Sequence, residues 1–265
     1  MSGDLGAALE GRHALVTGAS QGVGRAIAVG LAGEGATVVL AARSRAGLEE
    51  TAAHIDAVGG SAIVVPTDLR AASEIEALAQ HIESELGHLD TIVCNTGIAG
   101  PTAELWKVTP DEWDETLRVN LTGTFLVCRA LLPAMVDRGS GSVVVIGSST
   151  GKRPLYGRTP YAASKMALVG LVRTLAAELG PLGLRVNLIS PGGVDGPRVL
   201  DVVRQQARAL GSTDEAVLEE YLKVTPLRRL VAPEQIADAV AFLASDAAAS
   251  ITGEDLNVSC GATMH

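Results

Sequence analysis

The stretch Arg12-His-Ala-Leu-Val-Thr-Gly-Ala-Ser-Gln-Gly-Val-Gly24 joins a short apolar strand to a loop with three glycines, and an Ala/Ile/Leu-rich helix follows to about residue 34. In this order of elements, backbone N–H groups and a helix N-terminus face an anion such as a phosphate. Gly18 suits a tight turn, Gly22 a close approach to pyrophosphate, and Gly24 close helix packing. The G-x-x-x-G-x-G spacing is less common than G-x-G-x-x-G, and an ordinary turn between strand and helix is the alternative.

Six further apolar runs alternate with helical patterns after this stretch, and no internal repeat or interdomain linker interrupts them. The pattern predicts an α/β fold, a single-domain Rossmann-like doubly wound parallel sheet of about seven strands with helices on both faces. The domain is predicted to span 1–265, with a helical segment at about 195–225 that covers the substrate as a lid. The predicted strands are Thr37–Ala41, Ala62–Pro66, Leu89–Val93, Ser142–Ile146, Leu184–Ile189 and Asp255–Val258.

Composition narrows the class of protein. Hydrophobic residues make up 47% of the 265 residues and charged residues 19%, as in an ordinary globular protein. A net charge of −9 argues against nucleic acid or an anionic membrane as partner. The sequence shows no apolar run of about 18 residues and no signal-peptide pattern, so a cytoplasmic protein is expected. The three cysteines and five histidines have no ligand spacing, and no metal site is predicted.

The end of the second predicted strand bears on cofactor choice. A site selective for NAD would place a carboxylate here for the ribose 2′-hydroxyl, whereas an arginine suits a 2′-phosphate. The sequence has Ala42 and Arg43 at this point. It therefore favours NADP(H) over NAD(H), and the alternative is a solvated arginine at a strand end.

The stretch Ile146–Met166 brings together three side chains suited to acid–base chemistry. Tyr161 and Lys165 are four residues apart in a helical pattern, so they share one face of the helix. An ammonium beside a phenol lowers the phenol pKa from about 10 towards the range of a general acid/base. Ser148 follows a predicted buried strand and is expected at the carboxyl edge of the sheet, where open α/β sheets bind ligands.

A serine hydrolase is a remote alternative, because Gly147-Ser-Ser-Thr-Gly151 spells G-x-S-x-G directly after a strand, with Ser149 as the nucleophile. The residues that follow, Lys152-Arg-Pro154, are predicted not to open a helix. The only downstream histidine is His265, at the end of the sequence.

With these motifs and Asn120 in that order, the chain resembles the short-chain dehydrogenase/reductase family over essentially its full length. Thr17-Gly-Ala-Ser-Gln-Gly-Val-Gly24 is similar to the family's TGxxxGxG loop. The resemblance implies an NAD(P)-dependent oxidoreductase that interconverts a ketone or aldehyde and an alcohol, with a 3-oxoacyl-type or other secondary alcohol or ketone as substrate. It also implies a catalytic tetrad of Asn120, Ser148, Tyr161 and Lys165, in which Tyr161 is the general acid/base, and a homotetramer or dimer.

The resemblance further implies cofactor contacts, with Asp68 near the adenine and Pro191-Gly192 beside the nicotinamide. The sequence departs from the family pattern at Cys94, at Gly196 and near Cys260. The implied cofactor-binding residues are Gly18, Ser20, Gln21, Gly22, Val23, Arg43, Asp68, Leu69, Asn95, Gly97, Tyr161, Lys165, Pro191, Gly192 and Val194.

Other residues are candidates for the substrate pocket. Lys152, Arg153 and Arg158 lie between Ser148 and Tyr161 and offer charge to an acidic substrate or carrier, or form a solvated basic loop. An apolar lining is expected from Ile98, Trp106, Leu155 and Tyr156. A non-catalytic dinucleotide-binding or redox-sensing protein on the same fold is the main alternative function.

Overall fold

Seven parallel strands form one sheet in the computed structural model, which describes residues 8–264. The strands are β1 (His13–Thr17), β2 (Thr37–Ala42), β3 (Ser61–Pro66), β4 (Thr91–Cys94), β5 (Gly141–Ile146), β6 (Leu184–Pro191) and β7 (Asp255–Val258). Their spatial order is β3-β2-β1-β4-β5-β6-β7. The chain order reverses between β1 and β4, and in such sheets the crevice outside the carboxyl ends at this point receives the ligand.

Ten α-helices cover the sheet across the described residues. They are α1 (Gly22–Gly33), α2 (Arg45–Ala57), α3 (Ala72–Leu86), α4 (Pro110–Leu117), α5 (Gly123–Arg138), α6 (Ser149–Lys152), α7 (Thr159–Leu179), α8 (Pro197–Leu210), α9 (Asp214–Lys223) and α10 (Pro233–Ala244). Helices α3, α5 and α7 bury their apolar side chains on one face of the sheet, and α1, α2 and α10 do so on the other. The predicted doubly wound α/β fold is confirmed.

Strand β5 shows why the strands appear as unbroken apolar runs in the sequence. Val143 and Val145 join the core on the α3–α5–α7 side, whereas Val144 and Ile146 join the opposite core. Successive side chains of a strand point to opposite faces, and here both faces are covered by helices. A buried parallel strand therefore needs apolar residues at every position.

Helices α4 and α5 form one continuous stretch joined by a π-helical turn, Arg118–Thr122. Thr109 begins this stretch with a capping box, because its side chain accepts from the Glu112 backbone N–H while the Glu112 side chain accepts from the Thr109 N–H. Among the described residues, Pro110–Arg138 alone is long and apolar enough to cross a bilayer. Val127 and Met135 of α5 are buried in the core, so the apolar character of this stretch is that of a core helix.

The predicted lid segment consists of two helices, as the sequence indicated. Helix α8 ends at Gly211, which has a left-handed φ of 63°, and Thr213 caps α9 by accepting from the Ala216 N–H at 3.2 Å. Val203 and Val217 are buried against each other in a small separate cluster. The segment thus has its own contacts, apart from the two cores that hold the sheet.

Candidate active site

The glycine loop between β1 and α1 depends on the absence of side chains. Gly18 and Gly22 have φ values of 66° and 54°, in the left-handed region that favours glycine. A Cβ on Gly24 would collide with the Gly18 carbonyl oxygen and lie 2.5 Å from Asn95 Nδ2. A Cβ on Gly22 would meet nothing within 4 Å. The loop is therefore closely packed on its protein side and open at Gly22.

The N-terminus of α1 is available to an anion. Gln21 precedes the helix and provides no side-chain cap, and both Gln21 and Gly22 are exposed. The first N–H groups of a helix have no partner within it, and together they attract negative charge. Residues Ser20 to Val23 thus fit a dinucleotide pyrophosphate by the chemistry of their backbone donors.

Asn95 links the carboxyl end of β4 to the glycine loop. Its Nδ2 donates to the Thr17 and Gly18 carbonyls at 2.9 and 3.3 Å, and its backbone N–H donates to Thr17 Oγ1 at 3.0 Å. The predicted cofactor residue Asn95 is therefore occupied in holding the loop. The preceding Cys94 is buried beside Cys128. The hydrogen bond to Cys128 and burial both hold the pKa of the Cys94 thiol well above its usual value.

Two predicted adenosine contacts lie at the ends of β2 and β3. Arg43 is exposed, and the structure gives it neither a hydrogen bond nor a salt bridge within residues 8–264. Asp68 is paired with Arg70 at 2.6 Å, and this hydrogen bond lowers the pKa of the Asp68 carboxyl. The Leu69 side chain is buried in the core, so only its backbone faces the site. Arg43 remains the free cation at this end.

The segment after β6 is fixed by the C-terminal strand. The Gly192 N–H donates to the Val258 carbonyl at 2.9 Å, and a Cβ on Gly192 would lie 2.8 Å from the Ser259 Cα. Val194 forms an isolated parallel bridge with Val231. The backbone from Pro191 to Val194, predicted to lie beside the nicotinamide, is therefore rigidly placed at the carboxyl edge.

Tyr161 and Lys165 lie together on the first turns of α7. Lys165 is 4% exposed, its Nζ donates to the Ile146 carbonyl at 2.8 Å, and the same atom lies 5.9 Å from the Tyr161 ring centroid. Gly97 leaves room for this cation, because a Cβ there would lie 3.4 Å from Lys165 Nζ. The predicted pair is thus brought together at the end of β5.

The surroundings of Tyr161 change its acidity. Burial alone raises the pKa of the phenol, but the positive charge of Lys165, that of Arg198, the hydrogen bond from Ser148 and then the charge of Arg158 outweigh it. The pKa of Tyr161 is therefore lowered from its usual value. Ser148 Oγ also accepts from the Thr150 N–H at 3.1 Å, which fixes the hydroxyl beside Tyr161.

Asn120 lies in the π-helical turn and is fully buried. Its Oδ1 accepts from the Ile98 N–H at 2.8 Å, and its Nδ2 donates to the Ile98 carbonyl at 3.1 Å and to Ser164 Oγ at 3.0 Å. The side-chain amide is thus engaged within the protein. It holds the Gly97–Ile98 backbone against the helix that carries Tyr161 and Lys165.

The chain is similar to known proteins over almost its whole length. A family model described as enoyl-(acyl carrier protein) reductase matches residues 18–263. The 3-oxoacyl-[acyl-carrier-protein] reductase of Escherichia coli K12 is 37% identical over 255 residues, which cover 96% of this chain and 98% of that protein. The chain belongs to the short-chain dehydrogenase/reductase (SDR) family. The resemblance inferred from the motifs is confirmed, and the protein is an SDR oxidoreductase.

Two further relatives of this SDR differ in the cofactor that their names give. An uncharacterized NAD-dependent oxidoreductase of Mycobacterium tuberculosis H37Rv is 36% identical over 285 residues, with 98% of each chain covered. The crystal structure of a variant actinorhodin polyketide ketoreductase with NADPH has a TM-score of 0.92 and 34% identity, covering 96% of this chain and 98% of that one. Relatives of similar identity thus bear either cofactor, and family membership does not decide between them.

Three residues beside Tyr161 lie outside the proposed tetrad, and of these the sequence singled out only Arg158, as a charge for an acidic substrate. Arg158 stacks over its ring, with Cζ 5.0 Å from the centroid. Arg198, at the start of α8, contributes positive charge that lowers the pKa of Tyr161 and of Lys165. Tyr221 of α9 reaches the site, since a Cβ on Gly193 would lie 2.6 Å from its ring, and burial raises its pKa. Arg198 and Tyr221 are distant from Tyr161 in the sequence, so no local spacing could reveal them.

A cavity of about 380 Å³ lies between the lid helices and the loop after β5. Ser149 and Tyr221 line it next to the proposed tetrad, and Leu155 lines it as expected. Trp106 and Tyr156 were also expected in the lining, but they are 81% and 46% exposed and lie outside it. The lid helices supply most of the wall through Gln206, Leu210, Ala216, Val217, Glu219, Glu220 and Val224.

The basic loop before α7 divides into three environments. Lys152 is not free, because it pairs with Asp255 at 2.7 Å and only 10% of its side chain is exposed. Arg153 lines the cavity, and Arg158 is buried. The solvated-loop alternative is therefore wrong for Lys152 and Arg158, which are both enclosed by protein.

The residues considered for a serine hydrolase also need a correction. Ser149–Lys152 forms one helical turn directly after Ser148, although the sequence predicted that no helix opens there. Pro154 lies beyond this turn and therefore does not prevent it. His265 falls outside the described residues. The SDR membership favours hydride-transfer chemistry over acyl transfer at Ser149.

The described residues contain one cluster with metal-ligating geometry, which the sequence spacing missed. Side-chain atoms of His13, His88 and Asp90 lie within 4.8 Å of one another. They are at the amino ends of β1 and β4, opposite to Tyr161, and Asp90 already accepts from Arg138 at 2.7 Å and from the His13 N–H at 2.8 Å. The cluster is thus part of the packing that joins the two strands.

Proposed function

We propose that this SDR interconverts a ketone or aldehyde and the corresponding alcohol with NADP(H), acting on a 3-oxoacyl-type or other secondary alcohol or ketone. The observation that carries the proposal is the arrangement at the carboxyl edge, where Ser148 hydrogen-bonds Tyr161 and Lys165 Nζ lies 5.9 Å from the Tyr161 ring centroid, and the charge of Lys165 lowers the Tyr161 pKa. The E. coli relative is named as a 3-oxoacyl reductase, which supports the substrate class, and the exposed Arg43, which has no hydrogen-bond or salt-bridge partner within residues 8–264, supports NADP(H).

The nicotinamide, when bound, supplies or accepts a hydride at the substrate carbon. Tyr161 Oη gives a proton to the substrate oxygen during reduction and takes it back during oxidation. Lys165 favours the phenolate, and Ser148 donates a hydrogen bond to the substrate oxygen as negative charge develops there. Asn120 holds the Gly97–Ile98 backbone in place and, as the family resemblance implies, positions a water for proton relay.

The same proposal assigns the cofactor contacts. Gly18 makes the tight turn of the loop, and Ser20 to Val23 bind the pyrophosphate through backbone donors. Arg43 binds the 2′-phosphate of NADP(H). Asp68 and Leu69 flank the adenine, and Asn95 and Gly97 lie along the adenosine. Lys165 also holds the nicotinamide ribose beside Tyr161. Pro191, Gly192 and Val194 support the nicotinamide.

The decisive variant is Tyr161→Phe, which removes one hydroxyl oxygen from the ring. Loss of the general acid/base is expected to lower kcat by about 10²- to 10⁴-fold, with NADPH binding unchanged. Steady-state rates on a panel of ketones and alcohols and a fluorescence titration with NADPH measure the two quantities. Tyr156→Phe is the matched control, because Tyr156 is 46% exposed and its hydroxyl interacts with Glu104.

Two results would contradict the proposal. Full turnover by Tyr161→Phe would remove Tyr161 from its role. NADPH binding by the wild type without turnover on any carbonyl or alcohol would favour the non-catalytic alternative. Tighter binding of NADH than of NADPH would correct the cofactor assignment alone.

We also propose a cytoplasmic homotetramer, or a dimer, formed on the helices that carry Asn120 and Tyr161. Phe125 of α5 and Met166 of α7 are 48% and 49% exposed, which leaves apolar surface on both helices. Light scattering on the purified protein measures the mass, and Phe125→Glu with Met166→Glu is expected to shift it to the monomer. A monomeric wild type would contradict this assembly.

A further inference from the structure

The guanidinium of Arg158 is buried beside the general acid/base with hydrogen-bonding capacity unused. Arg158 is 3% exposed, and its Cζ lies 5.0 Å from the Tyr161 ring centroid. Its Nη1 donates to Thr102 Oγ1 at 3.2 Å. Its Nε is buried and has no hydrogen-bond partner within residues 8–264. A donor left unpaired in a buried site is costly unless a ligand satisfies it.

No carboxylate of the described residues compensates the charge of Arg158. The groups that act on it are the phenols of Tyr161 and Tyr221 and the cation of Arg198, and burial is the main effect that lowers its pKa. Buried charges in proteins are normally paired, because desolvation of a lone ion is unfavourable. Arg158 is buried without an acid, and the exposed Arg198 adds a second positive charge, which together leave an excess of positive charge next to Tyr161.

The lid encloses this charge. Thr102 Oγ1, which accepts from Arg158, donates in turn to Gln205 Oε1 of α8 at 2.9 Å. The neighbouring Gln206 Nε2 donates to the Tyr156 carbonyl at 3.1 Å. An anion bound to Arg158 would thus be shielded from water, where charge-assisted hydrogen bonds are strongest.

We propose that Arg158 binds a carboxylate of the substrate close to the reacting carbon, so that the substrate is an oxo acid or the corresponding hydroxy acid. The planar guanidinium matches a carboxylate better than any neutral acceptor does. This inference rests on the proposed function, since it uses the position of the substrate oxygen at Tyr161. It narrows the substrate from ketones in general to acids, with the cavity of about 380 Å³ receiving the remaining chain.

The test compares each acid with its neutral amide, which has nearly the same shape. Calorimetry on the full chain, with NADPH, with NADH and without cofactor, measures binding of 3-hydroxybutyrate, 3-hydroxyhexanoate and 3-hydroxyoctanoate and of their amides. The reduced cofactor cannot accept hydride, so no turnover interferes. The acid is expected to bind at least about tenfold more tightly than its amide for one or more chain lengths.

The variant Arg158→Met is expected to abolish this difference while it retains binding of the amides. Arg158→Lys keeps the positive charge but lacks the paired donors of the planar guanidinium. It should therefore recover part of the preference for the acid over the amide. Arg173→Met is the matched control, since Arg173 is an exposed residue of α7, twelve positions beyond Tyr161. It should leave the preference for the acid unchanged.

Several results would overturn the inference. Equal binding of acid and amide by the wild type at every chain length would do so, as would a preference that persists in Arg158→Met. Binding of the N-acetylcysteamine thioester of 3-hydroxybutyrate as tightly as the acid would assign Arg158 to a neutral acceptor instead. Charge discrimination without hydride transfer to any oxo acid would count against the proposed function and leave the carboxylate site standing.

Thermal unfolding separates a binding role from a structural one. A buried cation without a carboxylate partner does not stabilise the unliganded protein, so Arg158→Met should unfold at the same temperature or a higher one. Addition of the best-binding hydroxy acid should raise the Tm of the wild type but not that of Arg158→Met. A lower Tm together with loss of amide binding would make Arg158 a structural residue.

Discussion

The glycine loop and the Ser148–Lys165 region lie at the same edge of the sheet but are built in opposite ways. The loop offers backbone N–H groups, and its shape requires that side chains be absent, as the contact between a Cβ on Gly24 and the Gly18 carbonyl demonstrates. The Ser148–Lys165 region depends on side chains held by hydrogen bonds, such as Lys165 Nζ to the Ile146 carbonyl at 2.8 Å. Added atoms should therefore damage the loop, and removed atoms should damage the other region.

The difference also determines what each region can do without its ligand. At the loop, the Gln21 side chain does not cap the first N–H groups of α1, so these groups are free to bind an anion in place of water. At Tyr161, burial and nearby cations alter the pKa before any substrate arrives. Under the proposed function, the first region binds the cofactor, and the second has its acidity set for proton transfer before the substrate arrives.

The largest effect is expected from one added methyl group, in Gly24→Ala. Its Cβ would collide with the Gly18 carbonyl and press on Asn95 Nδ2, and overpacking of this kind costs about 1–3 kcal/mol or more. Loss of measurable NADPH binding in a fluorescence titration is the expected result. Gly33→Ala, at the end of the same helix with nothing within 4 Å, is the control and should be neutral or stabilising. Normal NADPH binding by Gly24→Ala would refute this account of the loop.

Removal of the charge in Lys165→Met tests the other region. Alcohol oxidation requires the phenolate form of Tyr161, so its rate should rise with pH and level off once the pH exceeds the Tyr161 pKa. That pKa lies below the usual value of about 10. Without Lys165 the pKa should rise, which moves this profile to higher pH and lowers kcat at neutral pH by roughly 10²-fold or more. Ketone reduction requires the protonated phenol, so its rate should instead fall as the pH rises through the same pKa.

The pH profile of kcat measures this shift, with Lys107→Met as the control. Lys107 is exposed and pairs with Glu104 at 3.0 Å, away from Tyr161. An unchanged profile in Lys165→Met would show that Lys165 does not set the acidity of Tyr161.

A smaller effect is expected from Arg43, the side chain proposed to contribute to NADPH binding at the adenosine end of the loop region. Arg43→Ala should weaken NADPH binding by about 10- to 100-fold, as expected for a lost charge-assisted hydrogen bond, and leave NADH binding nearly unchanged. Paired fluorescence titrations measure the ratio. Arg45→Ala removes a nearby exposed arginine, whose partner among the described residues is Glu49 at 3.8 Å, and should change neither affinity. Equal losses for both cofactors would exclude a 2′-phosphate contact.

The smallest effect is expected at the start of α4, where Thr109 and Glu112 form hydrogen bonds to each other's backbone N–H groups. Thr109→Ala removes the capping box of α4, which lies outside both regions, and should lower the free energy of unfolding by about 1 kcal/mol with kcat unchanged. Thr109→Ser keeps the oxygen and serves as the control. Chemical denaturation of both variants gives the comparison, and a large loss of activity in Thr109→Ala would mean that α4 does more than support the fold.

Local patterns predicted much of this molecule because local physics specifies it. The buried strands needed apolar residues throughout, the glycine loop needed residues without side chains, and Tyr161 and Lys165 needed only a helical spacing. The break between the lid helices at Gly211 could be predicted in the same way, since a left-handed residue ends α8 there.

Contacts between distant parts of the chain were not predictable from such patterns. Arg198 and Tyr221 reach Tyr161 only because helices α8 and α9 fold over the start of α7, and Cys94 reaches Cys128 only because α5 packs on β4. His13 and His88 come together through strand pairing, with ring centroids 4.6 Å apart. The exposure of Trp106 was likewise hidden, because an aromatic residue in a loop gives no sign of which way it faces.

The π-helical turn at Arg118–Thr122 sets the rotational phase of the helix around it. One residue more than an α-helical turn holds delays the following helix by about 100°. The delay lets α4 and α5 face different neighbours although they share one axis, and Asn120 sits at the change. Deletion of a single residue from this turn would restore an even α-helix and rotate Asn120 away from Ile98 and Ser164. The number of residues in this turn, as much as the identity of Asn120, therefore keeps Gly97 and Ile98 aligned with Lys165.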